Sequence, residues 1–298
     1  MRAAAALLLL AACGHASAAD DPEFADPKPV AIIGDSDDAM EPFLTRDGTI
    51  LIFNNSNDPS AQTDLHWAER VDDLTFVYRG KIDGVNSSAL DGVGTVDSAG
   101  NMYFVTTRSY ALDLMTIYDG RFNRGVVTGV APVKGVSLGV PFQVNFDAEI
   151  SADGTTLYFV DGLFALGGQV PLTADLAVAV RGTDGEFHRL NSSVLAAVNT
   201  SALEYAACIS EDQRELFFTR LEGTRTGIYR STRPDISSDW GTPRLLSAIT
   251  GFVEAPTIAP GGNALYYHAR RNGRFVIERV TRQPAQAPTR KRRAVGRG

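Results

Sequence analysis

Short apolar runs separated by polar, Gly-containing turns recur along the whole chain. In SADGTTLYFV (residues 151–160) a polar turn precedes a run whose alternate residues, Leu157 and Phe159 against Tyr158 and Val160, would face opposite sides of a strand. No stretch of helical period longer than about two turns stands out, so the pattern predicts a mostly β protein. The same grammar appears five times: EPFLTRDGTILIFNNS from Glu41, GVGTVDSAGNMYFVTT from Gly92, DAEISADGTTLYFVDG from Asp147, YAACISEDQRELFFTR from Tyr205 and EAPTIAPGGNALYYHAR from Glu254. Aligned turn residues fall at Gly48, Gly100, Gly154, Gln213 and Gly262, giving steps of 52, 54, 59 and 49 residues. In each copy a short strand leads to a turn that tolerates positive φ, and an apolar strand follows. A third strand (DLHWAER, DLMTIYDG, DLAVAVRG, GIYRSTR, RFVIERVTR) and a fourth segment such as FHRLNS or WGTPRLLS complete the unit. Four strands per unit at a steady period predict an all-β fold, a five-bladed β-propeller of four-stranded antiparallel blades. Six blades is the alternative if the 59-residue step hides an irregular unit.

The "SxDGxxLYF…DLxxxxR…W/FxxPxxL" grammar resembles the TolB-type, WD-like propeller repeats of bacterial exported proteins, over about residues 28 to 283. Two copies depart from the pattern, with Ser98-Ala99-Gly100 and Glu211-Asp212-Gln213 at the turn, and the N-terminal domain that accompanies the propeller in TolB is absent from this sequence. The resemblance implies a fold and says little about a ligand, because such repeats serve many roles. The last copy supplies three strands only. Lys28–Ile33, just before the first copy, is the candidate fourth strand, so that the N-terminal segment closes the ring and removes an open edge.

The two ends differ from the repeats. MRAAAALLLLAACGHASA has one early basic residue, Arg2, and an apolar run from Ala3 to Ala12 that is too short to span a bilayer. It reads as an export signal. Leu10-Ala11-Ala12-Cys13 resembles a lipoprotein signal with Cys13 as the lipidated residue, and Ala16-Ser17-Ala18 is the competing cleavage site of ordinary secretion. The chain divides into a signal region (1–18), a linker (19–27), the propeller (28–283) and a basic tail (284–298). The 298 residues carry 28 basic and 35 acidic side chains; six of the basic ones lie from Arg282 onward, leaving the rest near −13. That acidic body argues against nucleic-acid binding by the folded part. The tail reads as solvated and disordered. With only Cys13 and Cys208, no internal disulfide is expected, and Cys208, in the apolar AACIS, reads as a buried inert thiol.

Candidate chemistry is confined to a few places. Glu41, Asp91, Asp147, Glu204 and Glu254 each precede a first strand by a few residues, and first strands line a propeller's axis. Together they would crowd one channel mouth, as a Ca²⁺ or cationic-ligand site. The competing reading has each carboxylate accepting backbone N–H bonds of the inter-blade loop, and the offsets from the turn, 7, 9, 7, 9 and 8 residues, weaken a tight ring. His66, His188 and His268 sit on separate repeats without metal-ligand spacing, and no GxSxG, P-loop or GxGxxG occurs. Two long loops, 54–64 and 160–175, remain as binding surfaces, the second with Phe164, Leu166 and Val170 as a candidate contact patch.

These features predict an exported, monomeric, non-catalytic binding or scaffold module. It would be a membrane-anchored lipoprotein facing the periplasm or cell surface, or in the alternative a soluble periplasmic or secreted protein. Its partner would be an envelope protein, a peptide or a glycan, with membrane contact only through the lipid anchor. No cofactor is expected beyond the Ca²⁺ considered above. The rival is a glycosidase-like hydrolase using channel carboxylates, which would need a pocket holding two acids at roughly 5–10 Å, one of them desolvated.

Overall fold

The computed structural model describes residues 23–58 and 62–284. Cys13, the signal region and all but Pro284 of the basic tail lie outside the described residues. Five sheets make a five-bladed β-propeller, each running outward from an inner strand. The inner strands are Met40–Leu44, Asp91–Val96, Gln143–Ile150, Leu203–Ile209 and Val253–Ile258. Blade 2 continues through Asn101–Thr106, Ile117–Asn123 and Val126–Pro132, and blade 3 through Thr156–Leu163, Thr173–Arg181 and Phe187–Arg189. Blade 4 continues through Glu215–Glu222, Arg225–Thr232 and Arg244–Leu245.

The closure is where the sequence reading needs correction. The outermost strand of blade 5 is Phe24–Pro29, antiparallel to Arg274–Arg282, and not Lys28–Ile33. It begins inside the segment assigned to a linker. Ala31–Ile33 instead adds a fifth, parallel strand to the outer edge of blade 1, beside Thr75–Lys81. One short stretch therefore bonds the last blade and the first. Phe24 fixes the register: it is buried, meets Phe217 of blade 4 edge-on at 5.8 Å between ring centres, and lies under the Arg282 guanidinium. Glu23 pairs with Arg230 and Arg282, both of which also pair with Glu215.

The repeated turn has a common chemistry. In blades 1, 3 and 4 a hydroxyl (Thr45, Ser151, Ser210) donates to an aspartate two residues on (Asp47, Asp153, Asp212), at 2.6, 2.5 and 2.7 Å. The same carboxylate accepts the backbone N–H of Thr49, Thr155 or Arg214. The next residue takes positive φ: Gly48, Gly154, and in blade 4 the non-glycine Gln213 at 56°. In blade 2 Asp97 moves upstream and accepts from Ala99 and Asn101 instead.

The core is five apolar clusters, one between each pair of neighbouring blades. The strand alternation decides which cluster a side chain joins. Leu157 and Phe159 pack toward blade 2, Tyr158 and Val160 toward blade 4. Among the described residues no helix is long and apolar enough to cross a membrane.

Candidate functional site: the channel mouth and its loops

Each inner strand carries a bulge at the same level, where its register with the second strand breaks. The first bulged residue is left-handed in every blade: Glu41, Val93, Asp147, Ala206 and Ala255, with φ between 49° and 53°. The bulge aims that residue's N–H across to the preceding blade, where it needs an acceptor. Four acceptors are side chains. Asn54 takes Val93 N–H at 3.2 Å, Thr219 takes Ala255 N–H at 3.0 Å, and His268 takes Glu41 N–H at 3.2 Å through Nδ1. In blade 3 the corresponding residue of the second strand is Val160, which cannot accept, and Asp147 Oδ2 takes Ala206 N–H at 2.9 Å instead.

The five acids consequently do not form one ring. Glu41 and Asp147 occupy the bulge itself, Glu254 the position before it, and Asp91 and Glu204 two positions before it. Asp91 and Glu204 are locked into matching structural roles. Asp91 accepts from Ser87 N–H (2.5 Å), Ser87 Oγ (2.6 Å) and Arg108 (2.7 Å). Glu204 accepts from Thr200 N–H (3.0 Å), Thr200 Oγ1 (2.6 Å) and Arg220 (2.7 Å). Just before each hydroxyl residue an asparagine completes the device. Asn86 bonds both the N–H and C=O of Leu65, and Asn199 does the same for Leu176, so each amide serves as a one-residue strand. The signature is visible in the sequence as NSSALD (86–91) and NTSALE (199–204).

Glu41, Asp147 and Glu254 are the acids that do gather, and among the described residues no arginine or lysine is bonded to them. Asn57 donates to Glu41 at 2.6 Å, and Tyr205 hydroxyl and His268 Nε2 both donate to Glu254, the latter at 3.1 Å. Because Nδ1 of His268 accepts the Glu41 N–H, the ring proton sits on Nε2, which fixes the tautomer. Burial, followed by the charges of Asp147 and Glu254, holds the Glu41 carboxyl well above the usual range, with Asn57 opposing. Burial pushes Asp147 up to about 7; the Ala206 N–H opposes and the Glu254 charge adds. Burial and the nearby acids, Glu254 first, raise the Tyr205 phenol as well. The sequence expectations give Tyr205 no role, and hold His268 only as a strand histidine and Asn57 only as part of the 54–64 loop. Counting back from the last turn, allowing one residue for the bulge, would have set His268 opposite Glu254.

Two residues deeper the channel is lined by Phe43, Thr95, Glu149, Cys208 and Thr257. Glu149 accepts from Thr95 Oγ1 at 2.7 Å and pairs with Arg46 at 3.1 Å. Arg46 also donates to the carbonyls of Val96 and Ile150, and so plugs the axis from the turn side. Cys208 is buried, accepts the Ile258 N–H, and its thiol is raised by burial and by Glu149, which makes it inert. The free volume along this channel is about 30 Å³, room for one or two waters. A larger cleft of about 440 Å³ lies on the turn side, beside Arg46, Glu211, Asp212, Glu215 and Pro260–Gly262. There Asp212 is paired with Arg214, and Glu215 with Arg230 and Arg282. Among the described residues no group of three His, Cys, Asp or Glu side chains is placed to hold one metal ion.

The remaining candidates scatter. His66 stacks between Phe53 and Tyr78 and shares a 2.7 Å hydrogen bond with the Tyr78 hydroxyl; burial lowers its pKa. His188 pairs with Asp184 on the outer edge of blade 3. In the 160–175 loop Phe164 is half-buried against Phe146, whereas Leu166 and Val170 stand in solvent.

No protein-family model and no curated protein sequence matches the chain. Solved structures similar to it include the catalytic domain of the GH62 α-L-arabinofuranosidase of Coprinopsis cinerea, at 10% identity and a TM-score of 0.57 over 88% of this chain and 97% of that one. The family 117 glycoside hydrolase Zg3597 of Zobellia galactanivorans aligns at 10% identity and a TM-score of 0.56, over 88% and 91%. TolB from Acinetobacter baumannii aligns at 15% identity and a TM-score of 0.46 over 83% of this chain, which spans about 55% of that protein's length. At these identities the likeness shows the propeller fold alone.

Proposed function

We propose that this chain is a non-catalytic binding module of the bacterial cell envelope, exported and lipidated at Cys13. It engages an envelope protein, a peptide or a glycan through the loops that ring the channel mouth. One observation carries this reading: space and desolvated acid are separated. The channel-mouth carboxylates whose pKa values burial raises, Glu41 and Asp147, border a void of about 30 Å³. Ligand pockets usually hold some 300–1,000 Å³. The 440 Å³ cleft is large enough, but its Asp212 and Glu215 are neutralised by arginines. A glycosidase needs both properties at one place, so hydrolysis, the activity named for two of the structural neighbours, is the rival reading.

Crosslinking and pull-down from membranes, alongside assays on aryl arabinofuranosides and galactosides, separate the two. Recovery of a discrete partner with no turnover is the expected result. Turnover that is lost in Asp147→Asn would replace the binding module with a hydrolase. If Cys13→Ala stayed in the membrane fraction as fully as the parent, the lipidation proposal would fail.

A further inference from the structure

Glu41 and Asp147 reach the axis from blades 1 and 3, each only 7% exposed, and each uses a single oxygen. Oε1 of Glu41 accepts from Asn57, and Oδ2 of Asp147 accepts the Ala206 N–H. Among the described residues no donor meets Oε2 of Glu41 or Oδ1 of Asp147. Both residues line the void of about 30 Å³, whose other polar side chains are already engaged. Thr95 and Arg46 hold Glu149, and Cys208 bonds the Ile258 N–H and Thr257. The residue after each left-handed position is Pro42, Gly94, Ala148, Ala207 or Pro256. That level of the wall therefore has no side-chain donor, and its two prolines lack an N–H as well. Two buried carboxylate oxygens are left unanswered there, and an unanswered buried acceptor is costly.

We propose that this void receives the ε-ammonium of one lysine side chain, carried by the partner that the binding module engages. The inference deepens that reading and rests on it. Size and donor count select the lysine. An ammonium is a compact charge with three donors, matched by the two free carboxylate oxygens and one further acceptor, a backbone carbonyl or a water. A guanidinium brings five donors in a rigid planar fork, too many and too wide for a space of one or two waters. A hard divalent cation takes about six or more oxygens, and among the described residues no three His, Cys, Asp or Glu side chains converge on one point. The unbranched lysine stem puts nothing wider than a methylene behind the charge, unlike a chain's own α-ammonium. The groups that face the acid pair are neutral or acidic: Asn57 from blade 1, Tyr205 from blade 4, and Glu254 with His268 from blade 5. Deeper in the channel stand the Cys208 thiol and Glu149, whose charge Arg46 answers. Burial favours a proton on Asp147 until a cation arrives, so ammonium and proton compete for the same oxygens.

The experiment follows the melting temperature of the full chain at constant ionic strength, with Nα-acetyl-lysine amide as the probe. The expected result is a saturable rise at about pH 8, with apparent affinity at least about tenfold weaker at about pH 5, where the proton wins. Nα-acetyl-arginine amide, Nα-acetyl-norleucine amide and alanine amide carry a guanidinium, no charge and an α-ammonium alone, and none is expected to give a saturable rise. Asp147→Asn keeps an oxygen for the Ala206 N–H, loses the charge and should abolish the lysine response. Glu41→Gln keeps an oxygen for Asn57 and should do the same, which covers the case in which Asp147→Asn fails to fold. The proposal is overturned if the norleucine or arginine amide matches the lysine amide, or if the response survives both substitutions in folded protein. An equal response to alanine amide overturns it in favour of a chain N-terminus, and displacement of the probe by Ca²⁺ in favour of a metal. A partner recovered from membranes by a protein that ignores the lysine amide retires the ammonium site and leaves the binding module standing. Lysine-amide binding with no partner recovered does the reverse.

Discussion

Asp91 and Glu204 differ from Glu41, Asp147 and Glu254 by one or two positions along the same strand, and that small difference reverses their electrostatics. The first pair turns away from the axis into an inter-blade loop, where an arginine and the loop's own hydroxyl and N–H groups meet each carboxylate. The other three turn toward the axis and face one another, with neutral donors only. Repeated acids therefore do not make a repeated site. What decides is whether the carboxylate stands two positions before the left-handed bulge residue, as Asp91 and Glu204 do, or at most one, as Glu41, Asp147 and Glu254 do.

The largest expected effect comes from stripping the cation from the first group. The Glu204 side chain has no exposure and that of Arg220 only 8%. Arg220→Ala leaves a buried charge unpaired and should cost about 3–5 kcal/mol, read as a fall in the urea midpoint with unchanged slope. A loss below about 1 kcal/mol would mean that the pair is solvated and the contrast between the groups is false.

The second group should respond in the opposite sense. Asp147 titrates near 7 in the folded protein and in the usual carboxylate range when unfolded. Between those values the folded state holds the extra proton, so stability is full below about pH 4 and falls as pH rises through 7. The contribution at stake is at most about 4 kcal/mol. Asp147→Asn keeps an oxygen for the Ala206 N–H and removes the charge. Denaturation from pH 4 to 8 should then show a markedly flatter decline than in the parent, and parallel curves would refute the burial of Asp147.

The smallest effect isolates the bulge from the acids. Val93 holds the same left-handed position in blade 2, with a β-branched side chain that disfavours it. Val93→Gly should raise stability by up to about 1 kcal/mol in urea unfolding. Destabilisation would indicate that side-chain contact outweighs the backbone strain.

Those residues also mark how far the sequence could be read. The Thr45, Ser151 and Ser210 turns were legible because their hydrogen bonds close within five residues. Blade number followed from counting such turns. The closing strand begins at Phe24, four residues before the Lys28–Ile33 that the sequence suggests, because its partner lies some 250 residues away and nothing local sets that register. NSSALD and NTSALE were legible in principle, being one motif written twice. The grouping of Glu41, Asp147 and Glu254 with His268 was not, since it depends on three bulges from three blades meeting at an axis. Val160 illustrates the point: a valine where three other blades have Asn54, Thr219 and His268 reads as ordinary strand, yet it is the reason Asp147 must accept the Ala206 N–H.

The seam formed by Phe24–Pro29 sets an order of events during synthesis. The first described strand pairs with the last described one, so four blades and most of a fifth leave the ribosome between the two. Until then both the unclosed edge of blade 5 and the apolar face around Phe217 await a partner made long before. Closure is thus the step of highest sequence separation, and it is slow for that reason. It is also the stage at which a neighbouring chain's N-terminal strand can be taken in place of the protein's own.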